Sequence, residues 1–383
     1  MQIHINTNLL IMNKIIFITG GGTGGHLFPA ISIGEELKKK GFSIIFVGSK
    51  FGIEKGYFEK LNLSNYLLNV KGIQRTLSIK SIIVNFGFPF KFIFSYIQSI
   101  IIIRRHNPLA IIGTGGYASG LPLLAGLHSN IPIMIQEQNS IPGMITKSLH
   151  KKATKIFLGS EHAKKILENS NAIYTGNPLR KNLEILNKKK CKETLLFDTQ
   201  KKLIFIVGGS QGADAINNYI LNIMSFISEN NYQVLWQTGN FSYQKIKNKI
   251  NNENIKYLKF IDNISEAYSA ADIIISRAGA IAISEIAYFK KATIFIPLPN
   301  SADNHQQINA ECLKEKEACI IIKQEDLNKH KLEDSIKYLL SDNDAIKKLE
   351  KNINKFAKPL ASEQIANKII DLLKWENFLQ KIN

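Results

Sequence analysis

Four times along this chain an apolar run of strand length ends in a glycine-bearing turn and hands over to a segment of helix length. The turns are Gly20-Gly21-Gly22-Thr23-Gly24-Gly25, Gly113 to Gly120 (GTGGYASG), Gly208 to Ala213 (GGSQGA) and Arg277 to Ala280 (RAGA). Strand, turn and helix in alternation are the pattern of parallel sheets built from βαβ units, so the fold class is α/β. In the first half, strands are expected at 15–19, 43–47, 110–113, 132–135 and 155–158, with helices in the gaps. A second series at 203–207, 233–236, 273–276 and 293–296 reads as a fresh start. Two Rossmann-like domains follow, their parallel sheets expected to face each other across a cleft.

Between the two series lies Thr175-Gly176-Asn177-Pro178, then the polar, lysine-rich stretch Lys181 to Lys192, a shift in composition that marks a boundary. The expected organisation is a first domain over 14–177, a second over 178–358 and a final helix over 359–383. That helix suits either domain by sequence, and the first is the expected one. Residues 1–13 read as a disordered extension, or as the result of a start codon placed early.

With 383 residues, 45% of them hydrophobic, the chain can fill two cores. Its net charge of +18 favours an anionic partner, although heavy use of Ile, Lys and Asn together would raise the charge without selecting one. Three cysteines, Cys191, Cys312 and Cys319, form no CxxC pair, which argues against a zinc site or a disulfide framework and for a reducing compartment. The apolar segment Ile82 to Ile103 is broken by Pro89 and Lys91. Its uncharged remainder is short of the ~20 residues that cross a bilayer, so it reads as a buried or interfacial helix.

Glycine loops of this kind let backbone N–H groups and a helix N-terminus approach an anion closely. The first loop satisfies G-x-G-x-x-G, yet the end of the next strand reads Gly48-Ser49-Lys50 and lacks the acid that would take a dinucleotide's ribose hydroxyls. A nicotinamide cofactor is therefore the weaker reading, and no cofactor is expected. His26 follows the loop directly; it is either an ordinary residue of a helix N-terminus or a general base, since an imidazole titrates near about 6.5. Behind RAGA, Glu285 lies about a turn and a half into a helix, where it could accept from both ribose hydroxyls of a nucleotide whose diphosphate rests on the helix amides. Asp342-Asn343-Asp344 offers the chain's D-x-D, read as ordinary helix caps rather than a metal site.

The set GGTGGHLFPA, GTGGYASG, QEQNSIPG, GNPLR, GGSQGA, RAGAIAISEIA and NHQQINA, in this order over nearly the whole chain, closely resembles the MurG family of peptidoglycan glycosyltransferases. That resemblance implies the GT-B architecture, with the donor mainly on the second domain and the acceptor on the first. It implies transfer of N-acetylglucosamine from UDP-N-acetylglucosamine to undecaprenyl-pyrophosphoryl-N-acetylmuramyl-pentapeptide. Carried over by motif, Thr23, Gly24 and Gly25 belong to the substrate-binding loop and His26 is the candidate base. Asn139 and Arg180 match substrate-facing positions, Ser210 a phosphate contact and Ile261 a backbone contact to uracil. Ala280, Ile281, Ala282, Ile283, Ser284 and Glu285 would hold the nucleotide, Gln306 would read sugar hydroxyls, and Gly115, Gly116, Tyr117 and Glu137 would lie on the acceptor side.

Three departures stand out: Gln136 replaces the histidine usual in HEQN, Ala282 a threonine, and a proline has moved from Leu121 to Pro122. Loss of one hydroxyl at Ala282 would weaken donor binding by ~1 kcal/mol.

The implied reaction is a single inverting displacement, with His26 taking the proton, helped by an acidic neighbour that the sequence does not identify. Its partners would be the sugar nucleotide, the lipid-linked acceptor, an anionic membrane surface and other cell-wall synthesis proteins, without nucleic acid. A peripheral place on the cytoplasmic face of the membrane follows. Phe86, Phe88, Phe90, Phe92, Ile93, Phe94 and Ile97, with Lys71, Arg75, Lys80, Lys91, Arg104 and Arg105 nearby, would touch the lipid. A UDP-N-acetylglucosamine epimerase of similar architecture is the alternative.

Overall fold

Residues 14–71, 88–169, 171–209, 212–247, 249–250 and 252–382 are described by a computed structural model of the chain. The expected extension over residues 1–13, Ser210 of the GGSQGA turn, and Arg75, Lys80 and Phe86 lie outside the described residues. Two compact units form. One takes the chain up to Gln138, Pro142–Pro178 and the segment from Leu360; the other takes Asn139–Ile141 and Leu179–Pro359.

Among the described residues the first unit carries a seven-stranded sheet in the order β3-β2-β1-β4-β5-β6-β7. Its strands are β1 (Ile15–Thr19), β2 (Ser43–Ser49), β3 (Asn65–Leu68), β4 (Ala110–Gly113), β5 (Ile133–Glu137), β6 (Lys155–Leu158) and β7 (Ala172–Tyr174). In the second unit the order is β10-β9-β8-β11-β12-β13, from β8 (Leu203–Val207), β9 (Gln233–Gln237), β10 (Ile255–Leu258), β11 (Ile273–Ser276), β12 (Thr293–Phe295) and β13 (Ile320–Ile321). All pairings are parallel.

Side chains alternate across a strand, and both faces of these sheets are covered, so the central strands are apolar throughout. Ile16 and Ile18 pack into one cluster of the first unit and Phe17 into the other. In the second unit Leu203, Phe205 and Val207 face one cluster while Ile204 and Ile206 face its opposite.

The expectation that helices fill the gaps of the first series is corrected at β3, and β7, β10 and β13 are strands that the expected series did not include. These are the outer strands of the two sheets. With one strand neighbour and incomplete burial, Asn65–Leu68 or Ile255–Leu258 can mix polar with apolar residues, and the apolar run that marks a central strand never appears.

The last helix, Ala361–Ile382, buries Ile365, Ala366, Ile369 and Leu373 against Leu27, Ile33 and Phe46 of the first unit's core. Helix Phe88–His106 sets Ile102 and Ile103 into that unit's other cluster and turns Phe90, Ile93, Phe94, Ile97 and Ile101 outward. No helix among the described residues is long and apolar enough to cross a membrane. Asp342 caps helix Asn343–Ile353, its carboxylate accepting from the Asp344 and Ala345 N–H groups.

An ion cluster with a buried Asp272 and Lys192 and a half-exposed Lys188 braces the second sheet. Asp272, immediately before β11, accepts from Lys188 Nζ at 2.6 Å, Lys192 Nζ at 3.1 Å and the Leu203 N–H at 2.8 Å. Burial pushes the Asp272 carboxyl up, but the Lys188 charge and hydrogen bond, the Leu203 N–H and the Lys192 charge outweigh it, so its pKa lies below the ordinary value. Asp272→Ala leaves the buried Lys192 ammonium without a counter-charge, held only by the Lys201 carbonyl, and denaturant titration should show a loss of about 3–5 kcal/mol. Because the folded pKa is depressed, the Asp272 contribution is complete above the ordinary carboxyl value of about 3.9 and is lost as pH falls through the folded one. The stability gap between native and variant proteins should close over that acid range.

Candidate active site

Open parallel sheets bind ligands beyond the carboxyl ends of the strands where the strand order reverses. In the first unit that reversal lies between β1 and β4. The loops leaving these two strands are the first glycine loop and Thr114-Gly115-Gly116, and they are fitted to each other without spare room. A Cβ on Gly20 would lie 1.9 Å from Thr114 Oγ1 and one on Gly116 would lie 2.2 Å from Gly21 O. Gly115 and Gly116 also hold φ of +93° and +74°, in the left-handed region that favours glycine.

His26 occupies the first turn of helix Gly24–Lys39, half-buried, with its ring against Gly115 and Gly116. Its Nδ1 lies 3.1 Å from Thr114 O and 3.0 Å from Gln138 Oε1. Thr114 Oγ1 in turn donates to His26 O at 2.8 Å, tying the helix to the second loop. The expected acidic helper is not among these contacts: a neutral amide and a backbone carbonyl face the ring nitrogen.

The carboxylate missing from the end of β2 sits a few residues later, in helix Glu54–Lys60, and has another task. Glu54 is fully buried, accepting from the Gly22 N–H at 2.8 Å and the Ser49 N–H at 2.9 Å. A protein carboxylate thus already takes one of the loop amides that would hold a dinucleotide's pyrophosphate. Thr23 is exposed at the cap of the His26 helix, with Gly24 and Gly25 half-exposed in its first turn. Tyr117 packs on Gly22, and burial raises its phenol pKa. Glu137 is buried and accepts from the Gly143 N–H at 2.9 Å and Thr146 Oγ1 at 2.6 Å, fixing the turn behind the loops.

In the second unit the order reverses between β8 and β11. Helix Ala280–Tyr288 starts beyond β11, capped by Gly279, where the space a Cβ would take is open. Ala280, Ala282 and Ser284 are half-exposed on this helix, while Ile281 and Ile283 are buried and Ser284 Oγ donates back to Ala280 O. Arg277 is a brace: its guanidinium donates to Ile296 O, Pro297 O and Gln324 Oε1, and burial lowers its pKa to about 10.

Glu285 and Arg180, expected as separate contacts, form one pair. Arg180 Nε and Nη2 reach Glu285 Oε1 and Oε2 at 2.7 and 2.9 Å, a bidentate fork. The Glu285 side chain is only 2% exposed, against 31% for Arg180. Tyr268 also points its hydroxyl at Glu285 Oε2, and burial together with that carboxylate raises its phenol well above the ordinary pKa.

Gln237, which the sequence reading passed over, ends β9 and joins its neighbours: its Oε1 accepts from the Ile261 N–H at 3.0 Å and its Nε2 donates to Gly209 O at 3.0 Å. Gln306 Oε1 accepts from the Leu298 N–H at 3.0 Å. Asn309 Nδ2 donates to Asn139 Oδ1 at 3.2 Å, and its Oδ1 accepts from the Ser140 N–H at 2.8 Å. Asn309 lay inside the NHQQINA motif and Gln237 directly after the strand expected at 233–236, each visible in the sequence only as one more polar residue.

The family model for the glycosyltransferase family 28 N-terminal domain matches residues 16–158, and that for the C-terminal domain matches residues 203–365. A protein of Flavobacterium psychrophilum named UDP-N-acetylglucosamine--N-acetylmuramyl-(pentapeptide) pyrophosphoryl-undecaprenol N-acetylglucosamine transferase is 38% identical over 361 residues, 93% of this chain and 97% of the relative. A Cytophaga hutchinsonii protein of the same name is 38% identical over 94% of this chain and 96% of its own length. The crystal structure of Acinetobacter baumannii MurG superposes with a TM-score of 0.72 over 93% of this chain and 99% of that one, at 24% identity.

Removing Arg180 leaves a carboxylate buried without its main partner. Arg180→Met is therefore expected to lower the unfolding free energy of the ligand-free protein by about 3–5 kcal/mol, measured by denaturant titration. A change below about 1 kcal/mol, the range of a surface ion pair, would show that the pair is solvated in solution.

Proposed function

The chain belongs to glycosyltransferase family 28, and from that membership we propose its reaction and the residues that carry it. It is a UDP-sugar glycosyltransferase that moves N-acetylglucosamine from UDP-N-acetylglucosamine onto undecaprenyl-pyrophosphoryl-N-acetylmuramyl-pentapeptide in peptidoglycan synthesis. The observation that carries the residue assignment is the placement of His26 at the strand-order reversal of the first unit, in the first turn of a helix whose cap, Thr23, is exposed. The epimerase reading has less behind it, because the near-full-length relatives bear the transferase name.

In the proposed displacement the acceptor's C4 hydroxyl attacks C1 of the donor sugar. The C1–O bond to UDP breaks as the new bond forms, inverting the anomeric centre, and the hydroxyl proton passes to His26. Thr23, Gly24 and Gly25 offer N–H groups to the acceptor's diphosphate, with Gly115, Gly116, Tyr117 and Glu137 shaping the same half-site. On the donor side, the amides of Ala280, Ile281 and Ala282 stabilise the leaving diphosphate, and Ile283 and Ser284 continue that helix. Ser210 adds a phosphate contact, Ile261 meets the uracil through its backbone, Gln306 reads the sugar, and Asn139 orients the substrate. A ribose reaching Glu285 must share the carboxylate with Arg180, and a diphosphate beside it gives the guanidinium a second anion.

A polyprenyl-linked acceptor stays in the bilayer, so the enzyme must work at a membrane. Phe90, Ile93, Phe94, Ile97 and Ile101 are spaced along one face of helix Phe88–His106 and are exposed, Phe90 to 75%. Lys91, Arg104 and Arg105 lie on the same helix. Such a stripe suits reversible docking to an anionic surface, at the cytoplasmic face where sugar nucleotides are found.

Incubation with UDP-N-acetylglucosamine should release UDP and form a lipid-linked disaccharide only when the muramyl lipid is present; an epimeric UDP-sugar formed without acceptor and without net UDP release would favour the epimerase. His26→Ala should lower kcat at least about 100-fold, as loss of a general base does, while UDP affinity persists. In flotation with anionic liposomes, Phe90→Glu combined with Phe94→Glu should leave the protein at the bottom of the gradient. Equal flotation of native and variant proteins would reject the lipid-facing role of this helix.

A further inference from the structure

We infer that Gln138 is a positioning residue that fixes the tautomer of His26, with the proton on Nδ1 and Nε2 bare as the proton-accepting nitrogen. This rests on the reading of His26 as the base and deepens it.

Two oxygens converge on Nδ1, Thr114 O at 3.1 Å and Gln138 Oε1 at 3.0 Å. A backbone carbonyl can only accept, so that contact is a hydrogen bond only if Nδ1 carries hydrogen. The amide of Gln138 is equally constrained. Its Nε2, with two hydrogens, faces three acceptors, Thr114 O at 2.7 Å, Gln136 O at 3.2 Å and Gln136 Oε1, which leaves Oε1 as the atom facing the imidazole.

That orientation is held from behind by further amides. Gln136 Nε2 donates to Asn177 Oδ1 at 3.1 Å, and Asn177 Nδ2 donates to Gln138 O at 3.2 Å, closing a loop of dipoles. Gly159 makes room for it, since a Cβ there would lie 2.0 Å from Asn177 Oδ1. Gln136, Gln138 and Asn177 are 1%, 3% and 4% exposed, so turning any amide over would set oxygen against oxygen with little water to relieve it. A flip of the imidazole ring itself would put Cδ2–H where Nδ1–H now meets its two acceptors.

Titratable groups on the surrounding elements are engaged elsewhere. Glu54 is turned to the Gly22 and Ser49 N–H groups, Glu137 to the Gly143 N–H and Thr146, and the Tyr117 ring lies on Gly22. Selection of the tautomer therefore falls to a neutral amide and a carbonyl. It opposes the intrinsic preference of an isolated neutral imidazole, which favours hydrogen on Nε2.

Two-bond 15N–1H correlation spectra of histidine-labelled protein, recorded about two pH units above the ordinary imidazole pKa of about 6.5, read the tautomer directly. His26→Ala identifies the resonance. The native protein should show His26 with hydrogen on Nδ1. Gln138→Met, which keeps the volume and removes the amide, should give a mixture with hydrogen on Nε2. It should also lower kcat on the order of tenfold to a hundredfold, part of what a general base contributes, with KM for UDP-N-acetylglucosamine within about twofold. A native spectrum with hydrogen on Nε2 would overturn the inference, as would a Gln138→Met protein with unchanged tautomer and kcat. The native spectrum requires no variant and decides the assignment even where Gln138→Met does not fold. Full turnover by His26→Ala beside a native Nδ1–H spectrum would instead remove the base role and leave the tautomer assignment standing.

Discussion

A parallel strand covered on both faces can carry almost no polar side chain along its length, because a buried donor or acceptor without a partner costs more than a made hydrogen bond returns. The candidate site residues are therefore pushed to strand ends and the turns and helices beyond them. Ile16, Phe17 and Ile18 of β1 are buried hydrocarbon, and the first residues able to meet a ligand come after Thr19. The same holds for Ile273, Ile274 and Ile275 of β11, beyond which Gly279 and the helix amides open. Both sheets reverse their strand order between the strands bearing these loops, so the candidate loop cluster of each unit arises from one topological rule applied twice.

Once polar groups gather at strand ends they must be oriented, and this protein does much of that with amides. An amide offers a donor at one atom and an acceptor at the other, so a chain of them has a direction. Asn177, Gln136 and Gln138 form such a chain toward His26, and Gln237 spans the loops after β8 and β10 in a similar way. Gln136 stands where the resembling family usually has histidine. Because it both accepts from Gln138 and donates to Asn177, the replacement keeps the continuity of the chain.

The central strands were legible because burial on two faces demands uninterrupted apolar runs, and the glycine turns because close backbone approach admits little else. Outer strands such as Ala172–Tyr174 gave no such run, being short and partly exposed. Long-range pairings were illegible for a different reason. Nothing local couples Arg180 to Glu285, and each was legible only as a separate ligand contact; the fork between them exists because the fold brings positions 105 residues apart together. Glu54 was hidden by the opposite error, a search confined to the end of β2 for an acid that lies in the next helix. Gln138 went unnoticed between Glu137 and Asn139, since an uncharged amide announces no chemistry until its neighbours fix which atom it presents.

Three buried carboxylates near the first and fourth glycine turns bear on what those turns can bind. Glu54, Glu137 and Glu285 are all buried, and each is turned toward donors supplied by the protein: loop amides, the Gly143 N–H with Thr146, and the Arg180 fork. The negative charge of these three is thereby drawn inward and compensated, while exposed Thr23, half-exposed Gly24 and Gly25, and half-exposed Ala280 and Ala282 mark where the two helix N-termini meet solvent. Anions bind such termini through N–H groups and the helix dipole, and an uncompensated carboxylate beside them would cancel the attraction. Inward-turned Glu54, Glu137 and Glu285 beside solvent-facing helix termini suit the proposed reaction of two diphosphate-bearing substrates, one diphosphate leaving with the nucleotide and the other remaining on the lipid.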